Sequence, residues 1–412
     1  MFYKRATALA VTAMLAGGAA WADCGISGVE GTVNVLGNEF PAIQAVIGRA
    51  SECSSDSLTI ESNLTKEHKE LQVPALTANP SEYTAALVAN GTISALLKDD
   101  LIRPLNDLID QYGSGIGDTQ KITIDGDVMA IAFMANAQHM MYRTDILEQA
   151  GVEVPTTYED VIDAAAAIRE KGLMEHPLTG TYKSGWNLGE EFVNLYLGYG
   201  GELFMSGTAE PDIRNEDAIA ALNMMKSLTE FMNPDYLTFD STAAVSEFEQ
   251  GKAAMMNMWG SRAGSVIDEE GAADGVIENV GFAAAPTVAG GSTPATTLWW
   301  DGFTIPRNIS DADAAATFQT LVSSLNADMA NENGEAAVWL IEGYIPTAAD
   351  DGVLASARGG AKPYPMLPYV GLLHTALGAE LVEFLQGSED AEKALSDVEA
   401  AYVAAAKEGG YL

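Results

Sequence analysis

The sequence predicts an α/β fold, on three observations. Short β-rich runs recur near residues 33, 57, 123, 130, 255, 281 and 302. Amphipathic stretches with helix punctuation separate them. No segment repeats at a fixed period, and no low-complexity linker divides the chain. Residues 31–36, with valines at 33 and 35, read as the first strand, and 42–50 as the helix after it. Residues 57–60 are a second short strand and 70–77 a mixed helical segment. Two β-rich arms flank Asp125-Gly126, the strongest hairpin signal in the chain. Residues 155–160 (PTTYED) open a helix with a capping box, and Val161, Ala165 and Ile168 then recur on one helical face before Gly172. Residues 215–231 carry Ile219, Leu222, Met225 and Leu228 at helical spacing. Ser310 caps a helix to Leu325, and a last helix opens at Ser388 and runs to Lys407, acidic at its start and basic at its end.

The chain begins with the pattern of an export signal over residues 1–22. Lys4 and Arg5 precede a nearly unbroken apolar run over 6–20, and Ala20-Trp21-Ala22 is a small-x-small cleavage site. The run falls short of the roughly 18–20 residues that span a bilayer. Cys24 follows as a conceivable lipid attachment point, but Asp23 stands where a small residue is wanted, which favours cleavage after Ala22 and a periplasmic product. In that oxidising compartment Cys24 and Cys53, the only cysteines, are expected to pair.

With 58 acidic against 21 basic residues the chain carries −37, while 48% apolar content excludes disorder. Such a polyanion repels nucleic acid and anionic lipid. Catalytic patterns are missing: no G-x-S-x-G, no phosphate loop ending in Lys-Ser/Thr, no dinucleotide fingerprint and no H-E-x-x-H. His68, His139, His176 and His374 lie far apart, so no metal or cofactor is expected. Carboxylates are too numerous for a glycosidase pair to be picked out.

The positive signal is aromatic residues beside polar ones in loops. Three clusters stand out: residues 186–191 (WNLGEE), 256–262 (MNMWGSR) and 299–302 (WWDG). Indole faces pack on the C–H surface of a sugar while adjacent amides and charges hold its hydroxyls. Trp186, Trp259 and Trp300, each near a glycine and a charged or amide residue, are read as ligand contacts, with Glu190 and Asp301 beside them. Trp299 precedes Trp300 in an extended segment and so faces the other way. Trp339, in an apolar run, reads as core. Asn38 and Glu39 end the first strand, where open α/β sheets hold ligands. His139 is either a buried, satisfied histidine or a ligand contact. Arg262 is poised for a hydroxyl, an anionic group or a neighbouring carboxylate.

These pieces together resemble the extracellular family 1 periplasmic solute-binding proteins of ABC importers, the group of maltose- and glycerol-phosphate-binding proteins. The resemblance is carried by residues 33–40 (VNVLGNEF), 124–133 (IDGDVMAIAF), 141–147 (MYRTDIL), 154–161 (VPTTYEDV), 248–256 (FEQGKAAMM), 300–306 (WDGFTIP) and 344–347 (YIPT), in that order. Arg143-Thr144 and the cysteine pair depart from common members. The resemblance implies a two-lobed fold with the ligand cleft between the lobes. One lobe takes 23–132 and 299–345, the other 133–298 and 346–412. It implies a monomer without enzymatic activity or cofactor, which captures a carbohydrate or polyol and delivers it to membrane permease subunits. It assigns Asn38 and Glu39 to the first lobe's wall, Trp186, Glu190, Trp259 and Arg262 to the second's, Trp300 and Asp301 to the crossing, and adds Tyr344 and Tyr364. The alternatives are a small charged solute (sugar phosphate, sulfonate or compatible solute) or a secreted carbohydrate-active enzyme.

Overall fold

A computed structural model describes residues 24–26, 28–268 and 271–412. The export signal lies outside them. Strands alternate with helices as the sequence predicts. They are β1 (Gly31–Gly37), β2 (Leu58–Leu64), β3 (Ala85–Ala89), β4 (Lys121–Ile124), β5 (Asp127–Asn136), β6 (Gln138–Arg143), β7 (Leu178–Thr179), β8 (Met255–Trp259), β9 (Val280–Ala283), β10 (Thr297–Thr304), β11 (Val338–Trp339) and β12 (Lys362–Pro363).

They form two sheets. One has the order β11-β5-β10-β3-β1-β2, with β4 on β5 and β12 on β10; the other is β7-β8-β6-β9. In the first, β1 runs parallel to β2 and β3, while β10 is antiparallel to β3 and β5. The chain passes from the first sheet to the second at Ala137, a single residue between β5 and β6, and returns at Thr297. Each sheet has its own core. Val33, Val35, Ile43, Phe303 and Phe318 fill the first, and Phe192, Tyr196, Leu222, Phe248 and Tyr402 the second.

Local chemistry sets the elements. Asp125 and Gly126 both take positive φ (53° and 96°), the backbone of a tight hairpin turn, and Ile124 pairs with Asp127 across it. Thr157 accepts from the Asp160 backbone N–H at 3.0 Å and starts the helix Tyr158–Glu170. Asn215 and Ser310 cap Glu216–Thr229 and Asp311–Ser324 in the same way. The last helix, Ala391–Glu408, is capped by Asp390 rather than starting at Ser388, because the Asp390 carboxylate accepts from the Lys393 backbone N–H at 2.8 Å. Trp339 is buried, as its apolar run implies, with its indole N–H donating to the Asn333 carbonyl at 2.9 Å.

Cys24 and Cys53 form a disulfide spanning 29 positions. It ties the start of the described chain to the end of the helix Pro41–Ser51. Loop-closure entropy for a ring of that size is worth roughly 3–4 kcal/mol. The paired Cys24→Ser/Cys53→Ser variant should therefore lose about that much in denaturant unfolding, with its fold retained and its m-value raised by the more expanded unfolded chain. An unchanged midpoint would show that the crosslink restrains nothing in the unfolded chain.

Candidate functional site

Parallel strands put their C-terminal ends on one edge of a sheet, and β1 and β2 do so in register, Gly37 opposite Leu64. Asn38 and Glu39 leave that edge. Glu39 is exposed, and its backbone N–H donates to Asn38 Oδ1 at 2.8 Å. Thr65 is clamped beside them by its N–H to the Gly37 carbonyl at 2.9 Å. Lys66 follows, and the helix His68–Thr77 carries Lys69 on its first turn.

Facing this edge is the start of the helix Trp186–Gly198 from the second half of the molecule. Two close approaches fix its position against the helix Val370–Leu385. Gly185, at φ +99°, donates its N–H to the Gly378 carbonyl at 2.9 Å, and a Cβ on Gly378 would fall 2.1 Å from the Gly185 oxygen. A Cβ on Gly189 would lie 2.7 Å from the His374 ring. Only glycine permits this contact. It brings the Trp186 indole flat against His374, centroids 4.9 Å apart and planes within 14°.

The other indoles join there. Trp259, at the end of β8, lies 6.1 Å from Trp186; Trp299, on β10, lies 5.7 Å from Trp186 and 6.0 Å from Trp259. Tyr364 stacks on Trp299 at 4.1 Å. Trp259 and Trp299 are each 9% exposed, whereas Trp186 is half-buried and forms the open side.

Beneath the rings lies a buried polar network. Glu190 has no exposed surface; its Oε1 accepts from the Trp299 indole N–H at 3.1 Å and from the Thr297 hydroxyl. Burial pushes its pKa up to about 7, against the pull of those donors. Glu191, next along the helix, accepts from Gln138 at 2.9 Å and from Thr181, and burial likewise raises it to about 7. His374 Nε2 lies 2.7 Å from the Trp186 carbonyl, to which it must donate, so Nδ1 accepts the Tyr364 hydroxyl at 2.8 Å. Burial lowers its pKa to about 4, so the ring is neutral and its 4.0 Å approach to Glu190 is no ion pair.

At the rim, Lys69 and Asp301 keep contact with solvent. Burial nevertheless raises Asp301 to about 7, with the Lys69 charge opposing it. Solvent access combined with a penalty on charge is what the wall of a cleft produces. A β-bulge at Asp301/Gly302 redirects the strand there. Arg262 is half-buried; burial disfavours its charge and Asp240 favours it. A separate groove of about 540 Å³, which none of the indoles lines, is bounded by Pro41, Ser261, Asn331, Glu335 and Thr347, and so by the helix after Glu39 and the turn after Trp259.

The structure thus gathers Trp186, Glu190 and Trp259, with Asp301 close to Lys69 at the rim, while Asn38 and Glu39 lie at the first-sheet edge and Arg262 near Asp240. Trp300, Tyr344 and Tyr364 stand elsewhere than the sequence reading put them, and of the two alternatives for His139 the structure shows the buried one. The adjacent indoles of β10 do face opposite ways, but Trp299 is the one that meets the cluster. Trp300 packs toward the cluster of Leu36, Val88 and Ile93 of the first half, and its backbone N–H donates to Asn90 Oδ1 at 2.9 Å. His139 is a packing residue: fully buried, 5.7 Å from Phe282, and so tight against Gly352 that a Cβ there would lie 2.0 Å from Nδ1. Tyr364 is buried and supports Trp299 and His374 from behind. Tyr344 braces its own loop, donating to the Gly334 carbonyl at 2.8 Å and contacting Asp350. Sequence reasoning missed Lys69 and His374. The scarcity of cations in so acidic a chain was the one available signal for Lys69. Among the described residues no cluster of His, Cys, Asp or Glu could hold a metal ion, and no helix is long and apolar enough to cross a membrane.

Residues 72–324 match the family described as "Bacterial extracellular solute-binding protein". The chain belongs to that family. Its members are binding proteins rather than enzymes. The chain is 24% identical over 335 residues to the mannitol-binding protein of Pseudomonas aeruginosa, covering 74% of each. Among solved structures it resembles an ABC-transporter solute-binding protein of Agrobacterium radiobacter in complex with ribitol (TM-score 0.77, 18% identity, 90% of this chain and 98% of that one). It also resembles a maltose-bound protein of T. maritima (TM-score 0.78, 17% identity, 90% and 98%). Both share the two-lobed α/β architecture.

The buried carboxyls make stability depend on pH. A carboxyl whose folded pKa stands above its unfolded value near 4.5 stabilises the fold fully below that value, and the contribution is lost as pH rises toward about 7. Glu190→Gln, which mimics the protonated group, should flatten that decline by about 1–3 kcal/mol when melting is followed from pH 4.5 to 8. A parallel profile for variant and parent would refute the assignment.

Proposed function

We propose that the chain captures a neutral carbohydrate or polyol in the periplasm and delivers it, as a monomer, to the permease subunits of an ABC importer. The observation that carries this reading is the meeting of three indoles from three separate segments beside two solvent-reachable charged groups, Lys69 and Asp301. Apolar ring faces next to a few placed polar groups suit a polyhydroxylated solute. The mannitol-binding relative and the ribitol- and maltose-bound neighbours support the same class.

Under this reading the first lobe is residues 23–132 with 299–345, and the second 133–298 with 346–412; the run of β5 to Asn136 favours moving the first crossing to Ala137. Asn38, Glu39 and Lys69 line one wall, Trp186, Trp259 and Arg262 the other, and Trp299 and Asp301 the crossing, with Glu190 and Tyr364 behind. Arg262 and Lys66 both act on Asp240, which speaks against a surplus of positive charge for an anionic solute.

Binding to the closed form alone stabilises it, by ~2.7 kcal/mol at a hundredfold excess over Kd. D-Mannitol, ribitol or maltose should therefore raise the melting temperature of the wild type by a few degrees and leave the ligand chemically unchanged. Trp186→Ala, at a half-buried ring, should melt near the wild type without ligand and lose that rise. Release of reducing ends from an oligosaccharide would instead identify an enzyme. A Trp186→Ala protein that still responds in full would remove the indoles from the ligand site.

A further inference from the structure

Trp186 has two ring faces, and both are covered. His374 lies parallel to one at 4.9 Å, a gap too thin to admit an ammonium group. The Lys69 nitrogen, 4.1 Å from the ring centroid, therefore occupies the opposite face, the one turned toward the first half of the molecule. The flanking groups are acidic: the charges of Glu190, Glu70 and Asp301 all act on that ammonium, while its surroundings penalise it by desolvation. An indole face bordered by carboxylates is a cation-binding arrangement. Here the protein supplies the cation from its own side chain.

We propose that Lys69 is a specificity-determining residue. It is a tethered ammonium that fills a latent cation subsite on the Trp186 face, so that the cleft rejects cationic solutes and takes neutral polyhydroxylated ones. This rests on the reading of the cleft as a carbohydrate or polyol site. A neutral ligand reaches the indole by moving Lys69 aside, and its hydroxyls accept hydrogen bonds from the displaced ammonium. A cationic ligand has to replace one positive charge with another beside a second that remains nearby. Lys69 as a residue keeps solvent contact on the first turn of its helix while its ammonium is desolvated over the ring, and it belongs to no hydrophobic core, so truncation removes the charge without opening one.

The test uses a matched pair of probes, D-sorbitol and D-glucamine, which differ by one hydroxyl replaced with an ammonium group. Titration calorimetry at neutral pH on the full mature chain should show wild type and Lys69→Arg rejecting D-glucamine. Lys69→Ala should bind it roughly tenfold or more tightly than wild type, the scale of a desolvated cation–π contact. Without ligand, Lys69→Ala should melt close to the wild type. Overturning results are a Lys69→Ala protein with no gain for D-glucamine, or a wild type that binds D-glucamine as well as D-sorbitol. If the neutral polyols fail on wild type while Lys69→Ala still gains the amine, the assignment of the natural ligand class falls and the role of Lys69 stands.

Discussion

Glu190 buries a carboxyl completely between a helix and the strand that returns from one sheet to the other. An isolated ionised carboxylate in such a place is strongly unfavourable, so its neighbours are set by what it needs: a hydroxyl from Thr297 and an indole N–H from Trp299. Those two bonds hold the first residues of β10 against the helix Trp186–Gly198. Asn194, one turn further along the helix, accepts from the Thr297 backbone at 2.8 Å and continues the attachment. One buried acid thereby ties Trp299 to the helix that carries Trp186, whose own place is set by the glycine contacts with the helix Val370–Leu385. A substitution that removes its donors leaves the carboxyl uncompensated, which is more damaging than the loss of one hydrogen bond suggests.

Glu191 repeats the device on the neighbouring side of the helix. Through Gln138 it grips the first residue after Ala137, where the chain first changes sheet. Gln138 in turn accepts from Asn257 of β8, two residues before Trp259. One helix thus holds both crossing strands with adjacent acids and presents Trp186 at its own N-terminus. A solute that contacts Trp186 and the first-sheet edge together bears on the element that joins the two halves. Differential affinity for the closed arrangement is then enough to shift the population, with no separate transmission path required.

Most of the architecture was legible in the sequence because its signals are local. The Asp125-Gly126 turn, the capping box within residues 155–160 and the Ser310 cap act within four residues, and each appears where the pattern put it. The site was legible only as residue types. Glycine, indole and amide together marked three segments that do meet in space, but the choice between Trp299 and Trp300 depends on which face of β10 turns toward the second half, and strand alternation leaves that sign open. His139 stood equally as a buried residue and as a ligand contact; the packing of Gly352 against its ring is a long-range fact that no nearby residue announces. Lys69 was invisible for the same reason, since its partner Trp186 lies more than a hundred residues away.

The overall charge of −37 and the electrostatics of the site are separate matters. Surface carboxylates are screened over about 10 Å at ordinary salt. The groups around the indoles answer to near neighbours instead: Asp301 to Lys69, Asp240 to Lys183 and Lys66, Arg262 to Asp240. Burial raises the pKa of Glu190 and of Asp301 to about 7, with the Lys69 charge opposing the rise at both. A cleft lined by opposed or protonatable charges presents hydrogen-bonding groups without a strong net field. That is the environment in which the hydroxyls of an uncharged solute compete best with water, so the acidity of the chain as a whole does not conflict with the proposed neutral ligand.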